Sequence, residues 1–202
     1  VKWISRSSKY GLLSEIASRE LIELPNNRNA ISFKRNRYYS DDIPFLPTHK
    51  NTYGFMCITF RCLSDHEQVI ISNLQHGEKY FHEIYATSTE IGISGIKDGK
   101  IKSVIIQHST REWTSLFIEF TSLKNITKFY YIINNDSSLD GTFTFDSYEE
   151  MSLGFSVGSR YDNSRFLHGD IASIEMYHVQ QESGQKLPPC LKELVIKNQL
   201  VT

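Results

Sequence analysis

The sequence has few cysteines, no excess of either charge and no long apolar run, and each shortage excludes a class of protein. Three cysteines among 202 residues are too few for a disulfide-framework domain. The 22 basic and 23 acidic residues leave a net charge of −1, which gives no field to draw the chain onto nucleic acid or an anionic membrane. No apolar run reaches the ~18 residues of a bilayer span, and no signal-like apolar segment opens the chain. We therefore expect neither a nucleic-acid partner nor membrane insertion.

The cysteines and histidines do not predict a transition-metal site. Cys57 and Cys62 lie five positions apart in one predicted strand, on opposite faces and too far apart to form a disulfide. Whether Cys190 is disulfide-bonded stays open. No Cys-x-x-Cys or paired-histidine spacing accompanies the thiols, and the seven histidines are scattered singly.

What the sequence does contain is a series of strand-length segments rich in β-branched and aromatic residues, separated by turn residues. Residues 30–179 contain about twelve such segments and scarcely any helix. Tyr53–Cys62 has apolar residues on both faces, which predicts a central strand. The Asp98-Gly99 pair between apolar runs predicts a tight hairpin. We therefore predict an all-β fold, a two-sheet antiparallel β-sandwich of the jelly-roll type with short peripheral helices.

The length favours a single domain over residues 1–202. Within it we expect a peripheral N-terminal segment at 1–29, the sandwich at 30–179, and a C-terminal tail at 180–202 that packs on the sandwich. Because the chain begins at Val1 rather than Met, we expect it to be a piece of a longer polypeptide.

Three outlying segments have less regular patterns. Tyr10–Leu24 predicts a helix of a turn or two that Pro25 ends. Residues 190–198, which follow Pro188-Pro189, predict either a short helix or a last extended segment. Tyr38–Thr52 contains two prolines that remove ladder donors, which predicts an extended edge segment or a surface loop.

The order of the segments resembles the laminin G-like, concanavalin A-like jelly-roll family over residues 30–179. The resemblance depends on Glu112-Trp113-Thr114 at a strand start, on the turns at 131–136 and Val157-Gly158, and on the closing motif Phe166-x-x-Gly169-Asp170-Ile171-x-x-Ile174-x-Met176-Tyr177. That motif is the most specific part, since its glycine allows a bulge after which the spaced apolar residues face the core. The resemblance implies a sandwich that holds ligands with its rim loops or with one sheet face.

No enzymatic motif is present, and we predict no enzyme. A Gly-x-Ser-x-Gly elbow, a phosphate-binding glycine loop and a His-Glu-x-x-His helix are all missing. A glycosidase on such a sandwich needs two carboxylates that face each other. Glu175 has no acidic residue two positions away, and Glu149 and Glu150 are adjacent and so point in opposite directions if extended.

Two loops have the composition of binding sites. The first combines ring, guanidinium, amide and carboxylate groups that suit sugar hydroxyls or an acidic group, in Arg160, Tyr161, Asp162, Asn163 and Arg165. An ordinary solvated turn is the alternative. Asp136 and Asp140 could offer oxygens to Ca²⁺, and here a plain hairpin turn is the alternative.

These patterns predict a non-enzymatic, lectin-like recognition or attachment module that binds a glycan or a surface protein. We expect such a module at the outside of a cell, on a cell surface or on a virion surface. The alternative is a structural or projecting domain of a viral coat or an extracellular assembly, with a degenerate hydrolase as a third hypothesis. Aligned outer tyrosines would form an interface, so a homo-oligomer or assembly within the parent chain is also a candidate. The ligand is set by loops and is not predicted.

Overall fold

A computed structural model of the chain shows β-strands as the regular secondary structure of the residues that it describes. The described residues are 3–4, 11–14, 20–24, 28–44, 52–73, 82–123, 125–134, 136–147 and 153–180. Within these ranges, no helix has the length and apolar character that a membrane crossing needs. The strands are β1 (Trp3–Ile4), β2 (Gly11–Ser14), β3 (Glu20–Leu24), β4 (Arg28–Lys34), β5 (Tyr38–Pro44), β6 (Thr52–Cys62), β7 (Gln68–Asn73), β8 (Glu83–Ala86), β9 (Glu90–Lys97), β10 (Lys100–Gln107), β11 (Thr114–Ser122), β12 (Ile126–Ile133), β13 (Asp136–Asp146), β14 (Leu153–Val157) and β15 (His168–Gln180).

The strands form two antiparallel sheets, which confirms the predicted sandwich. The eight-stranded sheet has the order β1-β2-β5-β14-β7-β8-β9-β10, and the seven-stranded sheet has the order β13-β12-β11-β6-β15-β4-β3. Every recorded strand pair is antiparallel. Neighbours such as β14 and β7 are far apart in sequence, so the sheets depend on long-range pairing.

The main core lies between the sheets and takes apolar side chains from both. It is rich in isoleucine and phenylalanine, which fill a pleated, two-sided interior well. The seven-stranded sheet supplies members such as Phe33, Ile58, Phe120, Phe129 and Ile171, and the eight-stranded sheet supplies members such as Tyr38, Ile70, Ile84, Ile93 and Phe155.

Strand β6 is buried on both faces, as predicted for Tyr53–Cys62. Ile58 and Cys62 belong to the core between the sheets, whereas Phe55 and Cys57 belong to a smaller apolar cluster with Phe117 on the other face of the sheet. Cys57 and Cys62 are both buried and point to opposite sides of the sheet, in agreement with the sequence. Burial raises the pKa of the Cys62 thiol. Cys190 lies outside the described residues.

The predicted hairpin is present between β9 and β10. Lys97 pairs with Lys100, so Asp98 and Gly99 form a two-residue loop. Both have positive φ, 54° and 69°, as a type I′ turn requires. Gly99 accepts this conformation without the strain that a Cβ would add.

The closing motif contains a bulge, though not at its glycine as predicted. The register of β15 against β6 shifts between Ile171 and Ser173, so Ala172 is the extra residue. This one-residue shift turns Ile174 and Met176 to the core side together with Ile171. Gly169 serves a different need, because a Cβ there would lie 2.2 Å from the carbonyl oxygen of Arg61.

Two predictions for the outlying segments are wrong. The described parts of the predicted helix over 10–24 are β2 and β3, because pairing with β5 and β4 overrides the local periodicity. The proline-containing segment begins as β5, an inner strand between β2 and β14 rather than an edge or a loop. Pro44 ends this strand, where it removes only a terminal donor. The C-terminal helix predicted over 190–198 lies outside the described residues, and the single-domain assignment stays a prediction.

Candidate functional site

A cleft of about 650 Å³ opens at the rim of the sandwich, where three connections meet. The turn after β4 forms one wall, the β6–β7 connection another, and the end of the β14–β15 connection the third. Strands β4, β15 and β6 are neighbours in the seven-stranded sheet, which brings these connections together. The lining residues are Lys34, Arg35, Ser64, His66, Glu67, Gln68, Arg165, Phe166, Leu167 and His168.

Gln68 joins two of these walls. Its side chain is buried, and its Nε2 donates to the carbonyl oxygens of Ser64 at 3.3 Å and His66 at 3.0 Å. Its Oε1 accepts a hydrogen bond from the backbone N–H of His168. The Leu63 N–H also donates to the His168 carbonyl oxygen at 2.9 Å. One buried amide therefore holds the β6–β7 connection against the start of β15, which fixes the backbone from which both histidines project.

The turn after β4 holds Arg35 at the cleft. The Lys34 N–H donates to Asn36 Oδ1 at 2.7 Å, and Asn36 Nδ2 donates to the Ser32 carbonyl oxygen at 3.4 Å. Arg35 is exposed and has a φ of 64°. A non-glycine residue in this left-handed conformation costs about 1 kcal/mol, and the buried Asn36 side chain helps to offset that cost.

Arg165 forms the third wall and also has left-handed backbone, with a φ of 49°. Its carbonyl oxygen accepts from the Val69 N–H at 2.9 Å, which ties the loop to β7. Its guanidinium contacts the Glu67 carboxylate, and its Nη1 lies 3.5 Å from Glu83 Oε1. Glu67 and Arg165 therefore neutralise each other on one side of the cleft.

Behind this wall lies a buried carboxylate. The side chain of Glu83 is 1% exposed, and its Oε2 lies 3.2 Å from Arg160 Nε. Burial raises the pKa of Glu83 to about 6, although the charges of Arg160 and Arg165 act to lower it. Glu83 does not line the cleft, so it holds the two arginines in place from within.

The structure brings Arg165, alone among the five predicted loop residues, to this cleft. Arg160 turns inward to Glu83, and its guanidinium stacks 5.5 Å from the centre of the Tyr161 ring. The Tyr161 carbonyl oxygen accepts from Arg37 Nη1 at 3.3 Å. The Asp162 carboxylate accepts hydrogen bonds from the backbone and hydroxyl of Ser164.

The same loop also bonds to itself through its backbone. The Arg160 N–H donates to the Ser164 carbonyl oxygen at 2.9 Å, and the Asn163 N–H donates to the Arg160 carbonyl oxygen at 3.1 Å. Asn163 has a φ of 58°, which asparagine tolerates well. Many of the polar groups predicted to bind a ligand therefore bond within the turn, as expected of an ordinary solvated turn.

The two aspartates predicted to bind calcium each interact with a near neighbour. Asp136 accepts from the Ser138 hydroxyl at 2.7 Å and its N–H at 2.8 Å, and these bonds lower the pKa of its carboxyl. Asp140 accepts from the Tyr130 hydroxyl at 3.0 Å. Among the described residues, no group of three or more histidine, cysteine or acidic side chains is placed to hold a metal ion. Calcium binding stays a prediction.

Sequence reasoning missed most of the cleft. Its residues come from three places far apart in the chain, around 34, 66 and 166. The available signal was weak: charged and histidine residues directly after or before predicted strands, as in Lys34-Arg35 and His66-Glu67. That signal becomes specific only when the sheet order is known, because β4, β6 and β15 must be neighbours.

Solved structures of similar fold come from toxin binding domains. The binding domain of botulinum neurotoxin serotype D matches with 14% identity over 96% of this chain and 48% of that chain, with a TM-score of 0.61. The receptor-binding domain of the mosaic serotype C/D toxin matches with 12% identity, 98% and 50% coverage and a TM-score of 0.60. The binding domain of toxin DC, solved in complex with rat synaptotagmin II, matches with 9% identity, 95% and 48% coverage and a TM-score of 0.59.

This likeness establishes the fold alone. The chain spans about half the length of these solved domains. No protein-family model and no curated protein matches it. These structures share a β-sandwich with the chain. The more specific resemblance to laminin G-like domains stays a prediction.

Proposed function

We propose that this chain is a non-enzymatic recognition module that binds a glycan or a surface protein in the rim cleft. The observation that carries the proposal is the cleft itself, in which charged, amide, hydroxyl and aromatic side chains converge on a backbone held by buried Gln68. Concave sites with a few fixed polar groups are where ligands bind, and loops on a rigid scaffold are where such sites occur.

The arrangement of carboxylates supports binding rather than glycoside hydrolysis. A glycosidase needs one carboxyl group that can donate a proton and a second that faces the sugar. Glu67 and Glu83 both approach Nη1 of Arg165, which lies between them as a permanent cation. Glu83 has the raised pKa of an acid catalyst but does not line the cleft.

The similar solved structures support a site of action outside the cell. They are receptor-binding or binding domains of toxins, and one was solved with a protein partner, synaptotagmin II. We extend from them only the class of activity, recognition at a cell surface, since this chain spans half of each domain. The structural or projecting role stays an alternative prediction.

The test is binding of the labelled chain to cultured cells and to a glycan array, in calcium and in a chelator. His66→Trp should block the cleft, because His66 is an exposed lining residue, while Lys100→Trp places the same ring on the exposed β9–β10 hairpin. We expect binding by the wild type and Lys100→Trp, and loss of binding by His66→Trp. Equal binding by all three proteins, or none by the wild type, would refute the proposal.

Treatment of the cells before the assay identifies the ligand class. Trypsin should abolish binding if the ligand is a surface protein, and glycosidases should abolish it if the ligand is a glycan. Binding that occurs in calcium but is lost in the chelator would support the predicted calcium site, which Asp136→Asn then tests directly.

A further inference from the structure

The rim cleft carries more positive charge than the chain that contains it. Its lining includes three cationic side chains, Lys34, Arg35 and Arg165, and a single carboxylate, Glu67. The chain as a whole has a net charge of −1. Because Arg165 and Glu67 pair with each other, the opposite wall presents its positive charge through Arg35. That wall attracts an anionic group into the cleft.

Arg35 is the side chain best suited to hold such a group. It is exposed at the cleft, and within the described part of the chain it forms no ion pair. Its guanidinium offers a planar fork of donors that matches two oxygens of a carboxylate or a sulfate. The backbone is strained at Arg35, whose positive φ glycine or asparagine would adopt more easily. The Asn36 hydrogen bonds fix where the arginine projects.

The rest of the lining suits a sugar rather than a bare ion. The ring of Phe166 is half-buried at the cleft and offers an apolar surface, and the side chains of Ser64 and Glu67 can bond to hydroxyl groups. His66 and His168 are exposed there and carry further ring nitrogens. A volume of about 650 Å³ accommodates a ligand larger than an inorganic anion.

We propose that the cleft binds a saccharide bearing an oxyanion, a carboxylate or a sulfate, with Arg35 on the acidic group and Phe166 beneath the ring. This assignment rests on the proposed recognition function and makes it specific. It differs from the sequence-based expectation, which centred on the loop at 160–165. That loop instead supplies one wall through Arg165, held by Glu67 and Glu83.

The experiment measures binding of sialyllactose, sulfated lactose, lactose and sodium sulfate to the full 202-residue chain by NMR titration. We expect both acidic sugars to bind at least about tenfold more tightly than lactose, because a charge-assisted hydrogen bond is worth about that factor. Added salt should reduce this difference. The two acidic sugars compare carboxylate with sulfate, and sodium sulfate reports binding of the ion without the ring.

Three variants locate the effect. Arg35→Gln should remove the preference for acidic sugars, and Arg35→Lys should keep part of it, since the charge remains without the fork. Lys102→Gln is the matched control, because it removes one exposed positive charge on β10, outside the cleft. The wild-type preference should survive in that control, and amide spectra should show that every variant is folded.

The possible failures are distinguishable. Equal affinity for lactose and the acidic sugars, or an acidic preference that persists in Arg35→Gln, would overturn this assignment while leaving cleft binding intact. Sodium sulfate as tight as sulfated lactose would reduce the site to a simple ion site and refute the saccharide. Binding to cells without binding to any of these sugars would also refute the inference. The proposed function itself would be refuted only if the wild type did not bind cells, or if His66→Trp bound them as well as the wild type.

Discussion

Replacing Glu83 by glutamine should change how the stability of this protein depends on pH. Glu83 is buried beside Arg160 and Arg165, and burial raises the pKa of its carboxyl from 4.5 to about 6. Between these values the folded chain binds more protons than the unfolded chain. Ionisation of Glu83 therefore lowers the free energy of unfolding as the pH rises from 4.5 to 6. At about 1.4 kcal/mol for each unit of pKa, the full shift is worth about 2 kcal/mol. About 1.3 kcal/mol of this falls between the two pH values, because each form of the carboxyl is half-titrated at its own pKa.

The preceding residue acts in the opposite direction. His82 is buried between the rings of Phe129 and Phe145, with centroid distances of 6.4 and 5.9 Å. Burial lowers its pKa from 6.5 to about 4, so the folded chain binds fewer protons than the unfolded chain in that interval. As the pH falls from 6.5 to 4, protonation of His82 in the unfolded chain therefore lowers the free energy of unfolding. As the pH falls from 6 to 4.5, protonation of Glu83 in the folded chain raises it. In the wild type the two effects largely cancel where the intervals overlap.

The assay is urea unfolding of wild type and Glu83→Gln at pH 4.5 and 6, the limits of the Glu83 interval. The stability of the variant relative to the wild type should rise by about 1.3 kcal/mol from the lower pH to the higher. Glu112→Gln, which changes an exposed glutamate, is the control and should parallel the wild type. A Glu83→Gln curve parallel to the wild type across the interval would show that burial does not control this carboxyl.

Three further changes test the fold by the same unfolding assay. Phe129→Ala should cost about 4 kcal/mol by opening a cavity beside Phe143, which stacks on its ring, and Phe145, which meets it edge-on, and a loss below about 1 kcal/mol would contradict that packing. Gly169→Ala should cost about 3 kcal/mol, because its Cβ would lie 2.2 Å from the Arg61 carbonyl oxygen; an unchanged stability would refute the close approach. Gly99→Ala should cost only about 1 kcal/mol, since its φ is +69° but nothing lies within 4 Å of the added methyl, and a larger loss would indicate a contact there.

Most of the strand pattern could be predicted from local sequence. Tyr53–Cys62 was predicted as a central strand because both faces are apolar, and Asp98-Gly99 as a hairpin because both positions suit positive φ. The predicted helix over 10–24 was wrong because a short segment takes the conformation that its sheet neighbours impose. The bulge at Ala172 could not be located, because a bulge is defined by the residue opposite it.

The binding site was far less predictable. Of the five residues proposed in the loop at 160–165, Arg165 alone lines the cleft, because Arg160 is drawn inward by a carboxylate from another strand. Glu83 was not singled out from the sequence, and its importance comes from burial beside two arginines. Whether a polar side chain faces a ligand or an internal partner depends on residues distant in the chain.

By itself the sequence determined the architecture, because the alternation of apolar residues and the turn chemistry are local properties that each strand carries with it. Strand order, the bulge in β15 and the meeting of three connections at one rim were decided by tertiary structure alone, since each is a relation between segments that the linear pattern does not contain. Arg35, His66 and His168 are unremarkable polar residues in sequence, and they form one cleft because β4, β6 and β15 lie side by side.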